Sequence, residues 1–177
     1  MHPSQAVAGK GMETCDVLEL ARRRAAVQGE IALSDASRLA AQLIDTQGAL
    51  HYRLSGMIDE RGRAAARLEL DGTLRTRCDR CGGAVALPIR EHALFYFVAD
   101  EVELAALPID DSPKEALLGS HHFDLLALVE DQAILALPIS PRHEDCAAAV
   151  DAGVGARADG ETQRPFGVLA ALKKRTG

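Results

Sequence analysis

Hydrophobic and polar positions alternate with a period of two along several stretches of this chain. Leu50, Tyr52 and Leu54 alternate with His51, Arg53 and Ser55, and from residue 63 Ala64, Ala66, Leu68 and Leu70 face away from Arg63, Ala65, Arg67 and Glu69. Successive side chains of a strand point to opposite faces, so each stretch predicts a half-buried strand. A weaker alternation of Val27, Gly29 and Ile31 predicts another before them. Asp71-Gly72 reads as a tight hairpin turn, followed by a short strand from Thr73 to Arg77. A long strand is predicted from Ala84 to about Val98, with Pro88 marking an edge or a bend. The sum is a meander of about four antiparallel strands.

Two stretches change to a helical period. Ser34 is placed as an N-cap for a helix over 35–46 that turns Leu39, Leu43 and Ile44 to one face, with Gly48 past its end. Asp124 caps a second helix over 124–136, with Leu125, Leu128 and Val129 on its apolar face and Pro138 ending it. Between sheet and second helix, the run from Asp100 with Pro108 and Pro113 reads as an acidic loop. Residues 1–12 read as a disordered lead, 147–164 as a flexible linker, and 165–177 as a basic tail packing back on the domain at 13–146. The fold expected is α+β: an antiparallel β-meander sheet, open or curled towards a barrel, with two or three packed helices.

A length of 177 residues is enough to bury a core without a metal. Aromatic residues make up 3% with no Trp, which argues against a surface of stacked bases or sugars. Net charge is −6, from 20 basic and 26 acidic residues, so bulk attraction to nucleic acid is excluded and only local patches remain. No apolar run reaches a bilayer span, and the four cysteines do not form a secreted disulfide framework; both point to the cytoplasm and away from a membrane.

The chemistry concentrates in RCDRCGGAVALPI and, far downstream, PISPRHEDC. Two thiols separated by two residues and followed by Gly82-Gly83 have the shape of a metal knuckle, because glycine lets backbone amides approach the sulfurs. Cys78 and Cys81 with His143 and Cys146 would complete a structural zinc site tying the middle of the chain to its late segment. Reduced thiols without metal are the alternative; a redox pair fits less well, since such a motif opens a helix in a βαβ unit and this one lies in a meander.

Between Arg61 and Arg80 the chain has six arginines and three acids. Arg63, Arg67, Arg75, Arg77 and Arg80 are the candidates for a strip along a phosphate backbone, against the alternative of an ordinary solvated sheet face. No nucleophile or phosphate loop anchors a catalytic reading, and His121-His122 reads as a solvated turn.

In order along the chain, CDRCGGAVALPI, an acidic loop, DLLALVEDQAILALPISP, RHEDC and RPFGVLAALKK resemble the YceD family, the large ribosomal RNA subunit accumulation proteins, over roughly residues 28–175. The resemblance implies a non-enzymatic cytoplasmic factor supporting the synthesis, processing or stability of 23S rRNA. Its partner would be that RNA or a pre-large-subunit particle; the alternative is a protein-only adaptor whose acidic segment binds a basic ribosomal protein. The positions it carries over are Cys78, Cys81 and Cys146 and the tail residues Pro165, Phe166, Leu169 and Leu172, without assigning them a role.

Overall fold

The computed structural model describes residues 7–8, 14–108 and 114–146. The chain divides into two units, Met1–Cys146 and Ala147–Gly177. The expected linker and tail, and most of the expected lead, lie outside the described residues.

The elements run β1 (Val7–Ala8), β2 (Thr14–Cys15), α1 (Val17–Arg23), β3 (Ala26–Ala32), α2 (Ser37–Ala40), β4 (Ala49–Ile58), β5 (Ala64–Arg77), β6 (Ala84–Val98), α3 (Glu101–Ala105), β7 (Lys114–Leu118), β8 (Phe123–Asp124) and α4 (Leu125–Leu135). Among the described residues six strands form one sheet in the order β1-β3-β4-β5-β6-β7, and β2 pairs with β8 in a second, two-stranded sheet. The expected four-strand antiparallel meander is β3 to β6, and its edges carry parallel strands, β1 on β3 and β7 on β6. Among the described residues the sheet is open: β1 and β7 are its two edges and do not pair, so the α+β expectation holds without barrel closure.

One face of the meander is apolar. Leu50, Tyr52, Leu54, Leu68, Leu70, Leu74, Ile89 and Phe95 are buried there against Val17 of α1, Leu39 of α2 and Leu125, Leu128, Val129 and Ala133 of α4. The approach of α1 is so close that a Cβ on Gly56 would stand 2.3 Å from the Leu20 carbonyl oxygen. The opposite face is exposed and charged over the middle of β4 to β6, at Arg53, Arg67, Glu69, Asp71, Arg90 and His92, whereas Ala65 and Val98 towards its end are buried.

Three expectations are corrected. Asp71-Gly72 is no hairpin turn: both residues lie inside the continuous β5, opposite Arg90 and Ile89 of β6. Gly72 does not have the positive φ such a turn needs; it is small because a Cβ there would meet Leu50 Cδ2 at 3.0 Å and the Ala49 oxygen at 3.2 Å. The real β4–β5 turn is earlier, where Asp59 Oδ1 accepts from the amides of Arg61 and Arg63, at 2.9 and 2.8 Å, and Gly62 takes φ 79°.

The helix expected over 35–46 is only Ser37–Ala40, with Ala36 as its N-cap. Its amides at Arg38 and Leu39 are taken by the buried Glu130 carboxylate of α4, at 2.5 and 2.9 Å, and Ile44 N leaves to donate to the Arg75 carbonyl at 2.9 Å. Long-range partners thus replace the helix's own. The acidic loop contains α3, capped by Asp100 through the Glu103 amide at 2.8 Å. By contrast α4 begins where expected, with Asp124 Oδ1 accepting from the Ala127 amide at 2.8 Å. The sequence reading missed α1, whose cap is Asp16 accepting from the Glu19 amide at 2.8 Å.

Candidate functional site

β5 and β6 extend past their neighbours and are joined at residues 78–83, so the Cys-x-x-Cys turn sits at a hairpin end as expected. Cys78 N donates to the Gly83 carbonyl at 2.7 Å and Gly82 N to the Cys78 carbonyl at 2.9 Å, and Gly82 takes φ 73°. This tight turn is what glycine permits. The segment after α4 closes over it. Asp79 N donates to the Pro141 carbonyl at 2.8 Å, and His143 Nε2 lies 2.7 Å from the Ala84 carbonyl.

The result is a cluster of one imidazole nitrogen and three sulfurs, from Cys78, Cys81, His143 and Cys146, all within 4.8 Å of one another. The Cys78 and Cys146 sulfurs are 3.7 Å apart, and the Cys81 sulfur is 3.6 Å from His143 Nδ1. A tetrahedral ion with zinc's bond lengths separates two sulfurs by about 3.8 Å and a sulfur from a ring nitrogen by about 3.6 Å. The four residues could therefore hold a metal ion. His143 is oriented for it, because a nitrogen facing a carbonyl must donate; Nε2 carries the proton and Nδ1 presents its lone pair to the cluster.

The electrostatics prepare one of the four groups, Cys78, for that role. Burial pushes the Cys78 thiol up, but the backbone amides of Cys81, His143 and Arg80 outweigh it and lower the pKa to about 6. Cys78 is thus prepared as a thiolate. Burial and the neighbouring thiols of Cys81 and Cys78 push Cys146 up to about 11, since a second negative charge is disfavoured beside the first. The Ala84 carbonyl, and after it Cys78, raise the pKa of His143. The fourth cysteine, Cys15, stands elsewhere in β2, and burial raises it to about 11.

The five arginines proposed for a phosphate strip are not equivalent. Because β5 is continuous, Arg67, Arg75 and Arg77 lie on one exposed face of one strand, with Glu69, Asp71 and Thr73 between them. Arg80 is exposed within the knuckle. Arg63 precedes the strand: it pairs with Asp59 at 2.8 Å and its guanidinium carbon stands 3.5 Å from the Tyr96 ring centroid. Neighbouring strands add Arg53 and Arg90, which the sequence reading passed over although alternation places both on the exposed side. Much of this face is internally compensated. Arg67 is 3.7 Å from Glu69, Arg90 is 3.5 Å from Asp71, and His51 is 3.8 Å from Glu30.

The family profile described as Large ribosomal RNA subunit accumulation protein YceD matches residues 66–173. The chain belongs to the YceD family. A relative from Haemophilus influenzae, named Large ribosomal RNA subunit accumulation protein YceD, is 27% identical over 167 residues, covering 92% of this chain and 95% of that protein. No solved structure matches. The YceD match takes in all four clasp residues and Arg67, Arg75, Arg77 and Arg80, whereas Arg63 and the Asp59 turn precede it. Among the described residues, no helix is long and apolar enough to cross a membrane.

Proposed function

We propose that this chain is a non-enzymatic cytoplasmic factor that supports the synthesis, processing or stability of 23S rRNA by direct contact with that RNA or with pre-large-subunit particles, and that a structural zinc ion at Cys78, Cys81, His143 and Cys146 holds its contacting end in shape. The observation that carries this reading is the YceD match across the residues that build the clasp and the exposed β5–β6 ribbon. The relative's printed name speaks for the same RNA. A four-ligand set of three sulfurs and one nitrogen leaves a tetrahedral ion no open position for substrate, which favours a structural over a catalytic metal.

The RNA candidates are Arg67, Arg75, Arg77 and Arg80; Arg63 is taken up by Asp59 and Tyr96. A second reading, a protein-only adaptor for a basic ribosomal protein, draws on α3, where the exposed Glu101 and Glu103 flank a Val102 that is 79% exposed.

Ultraviolet crosslinking of the tagged protein in living cells, with sequencing of attached RNA, tests the two. Enrichment of one region of 23S rRNA is expected. Background-level RNA, with a ribosomal protein still co-purifying after nuclease, would favour the adaptor.

A further inference from the structure

The basic residues of the exposed sheet face fall into two groups with different surroundings. At the centre, the pairing places Glu30, His51, Asp71 and Arg90 side by side across four strands, and Gln28, Arg53, Glu69 and His92 in the row beside them. Each of these rows mixes basic with acidic side chains. Arg53 donates to Gln28 at 2.7 Å, and Arg67 and Arg90 have the carboxylates already named. A phosphate approaching here meets as much repulsion as attraction.

Beyond Gly72 and Ile89 the two strands run on as a ribbon, through five further pairs from Thr73 opposite Pro88 to Arg77 opposite Ala84. Its exposed face presents Thr73, Arg75 and Arg77 from β5 and Ala84, Ala86 and Pro88 from β6. Over residues 73–88 there are three arginines and one carboxylate, Asp79. Arg75 is held by Asp45 at 2.7 Å. Arg77 donates to the Gly82 carbonyl at 3.2 Å, and among the described residues neither Arg77 nor Arg80 has a carboxylate within ion-pairing distance. Across the clasp, the other limb carries Arg142 with Glu144 and Asp145, and adds no net positive charge.

We infer that this ribbon, with the Arg77 and Arg80 guanidiniums at its tip, is the surface that takes RNA, and that its ligand is helical RNA held by phosphates and riboses. The inference rests on the direct-contact reading above and narrows it. Charge selects the ribbon over the central face. Shape and chemistry select the ligand: no aromatic side chain lies in 73–88, so there is no platform on which unpaired bases stack. The small side chains of Ala84 and Ala86 leave the backbone close to whatever docks, and the wide, shallow groove of an RNA helix presents riboses and phosphates to such a surface. Zinc enters through rigidity, since the Asp79–Pro141 and His143–Ala84 contacts hold the tip against the late segment.

The test is binding of the full chain, by fluorescence anisotropy, to a short RNA duplex, to one of its strands alone and to the DNA duplex of the same sequence. The RNA duplex is expected to bind tightest. Arg77→Glu with Arg80→Glu should lose about tenfold in affinity and lower the log–log salt slope by about 2, while Arg53→Glu with Arg90→Glu on the central face stays within about twofold. Arg77→Gln with Arg80→Gln repeats the test without charge reversal, and equal melting temperatures confirm folding. Preference for the single strand or for DNA, or equal losses in the two charge-reversed doubles, would overturn the inference and leave the direct-contact reading standing. Binding to none of the probes would overturn both.

Discussion

The Cys78 and Cys146 sulfurs stand 3.7 Å apart across 68 positions of sequence. That is the spacing of two ligands on one tetrahedral ion, and it is reached by joining a strand end to a loop that follows the last described helix.

Zinc content is the direct consequence. The full chain should carry one zinc per molecule by elemental analysis, and Cys78→Ser or Cys146→Ser should lose it. A metal present at about 100-fold above its Kd stabilises a domain of this size enough to raise its melting temperature by roughly 5–10 °C. Chelation should therefore lower the melting temperature of the wild type by that amount and leave the variants unchanged.

Glu130 is the buried group that joins α4 to α2, taking the amides of Arg38 and Leu39 and the Arg38 Nε at 2.8 Å. Burial pushes its carboxyl up, but the Leu39 and Arg38 donors outweigh that and hold it below the usual carboxylate range. A depressed carboxylate contributes stability that is full above its unfolded pKa of about 4.3 and is lost as pH falls through the folded value. Glu130→Gln should cost about 1–3 kcal/mol at neutral pH by urea denaturation. The gap from wild type should shrink on acidification below the unfolded value; a pH-independent gap would contradict the assignment.

Gly56 and Gly72 separate two kinds of tightness. At Gly56 the obstacle is the α1 backbone, which cannot move without unseating Val17 and Ala21, so Gly56→Ala should cost about 2 kcal/mol or more. At Gly72 the contacts are looser, with Leu50 Cδ2 at 3.0 Å and the Ala49 carbonyl oxygen at 3.2 Å, so shifts of a few tenths of an ångström suffice and Gly72→Ala should cost less, about 1 kcal/mol. Denaturation midpoints of the two variants check the order.

Arg63 should behave as a structural residue. Its partner Asp59 has a side chain only 2% exposed, so Arg63→Ala leaves that charge buried with its amide donors alone. A loss of about 1–2 kcal/mol in stability is expected, with RNA affinity unchanged. Reduced RNA affinity at full stability would return Arg63 to the contact surface.

The strands were legible because alternation is local. The error at Asp71-Gly72 came from weighting a turn-forming dipeptide over phase: Leu70, Gly72, Leu74 and Thr76 keep one parity straight through it, which marks one long strand. The helix α1 was also readable, in Asp16 placed three residues before Glu19 ahead of an apolar face. The shortness of α2 was not, since it depends on Glu130 from 92 and 91 positions away. The parallel edge strands β1 and β7 were hidden for the same reason. At the site, ligand types were plain in Cys-x-x-Cys and His-x-x-Cys, while their convergence needed the fold. The facing of Arg67, Arg75 and Arg77 followed from alternation, but which of them is neutralised depends on Glu69 beside Arg67 and on Asp45 from a loop across the sheet edge.

Whether the clasp sustains large-subunit RNA is decided in cells whose only copy of the protein carries Cys78→Ser with Cys146→Ser. The measurement is the ratio of 23S to 16S rRNA, with the variant protein brought to wild-type abundance. A ratio as low as in cells lacking the protein is expected. A ratio equal to wild type, at equal protein abundance, would contradict it.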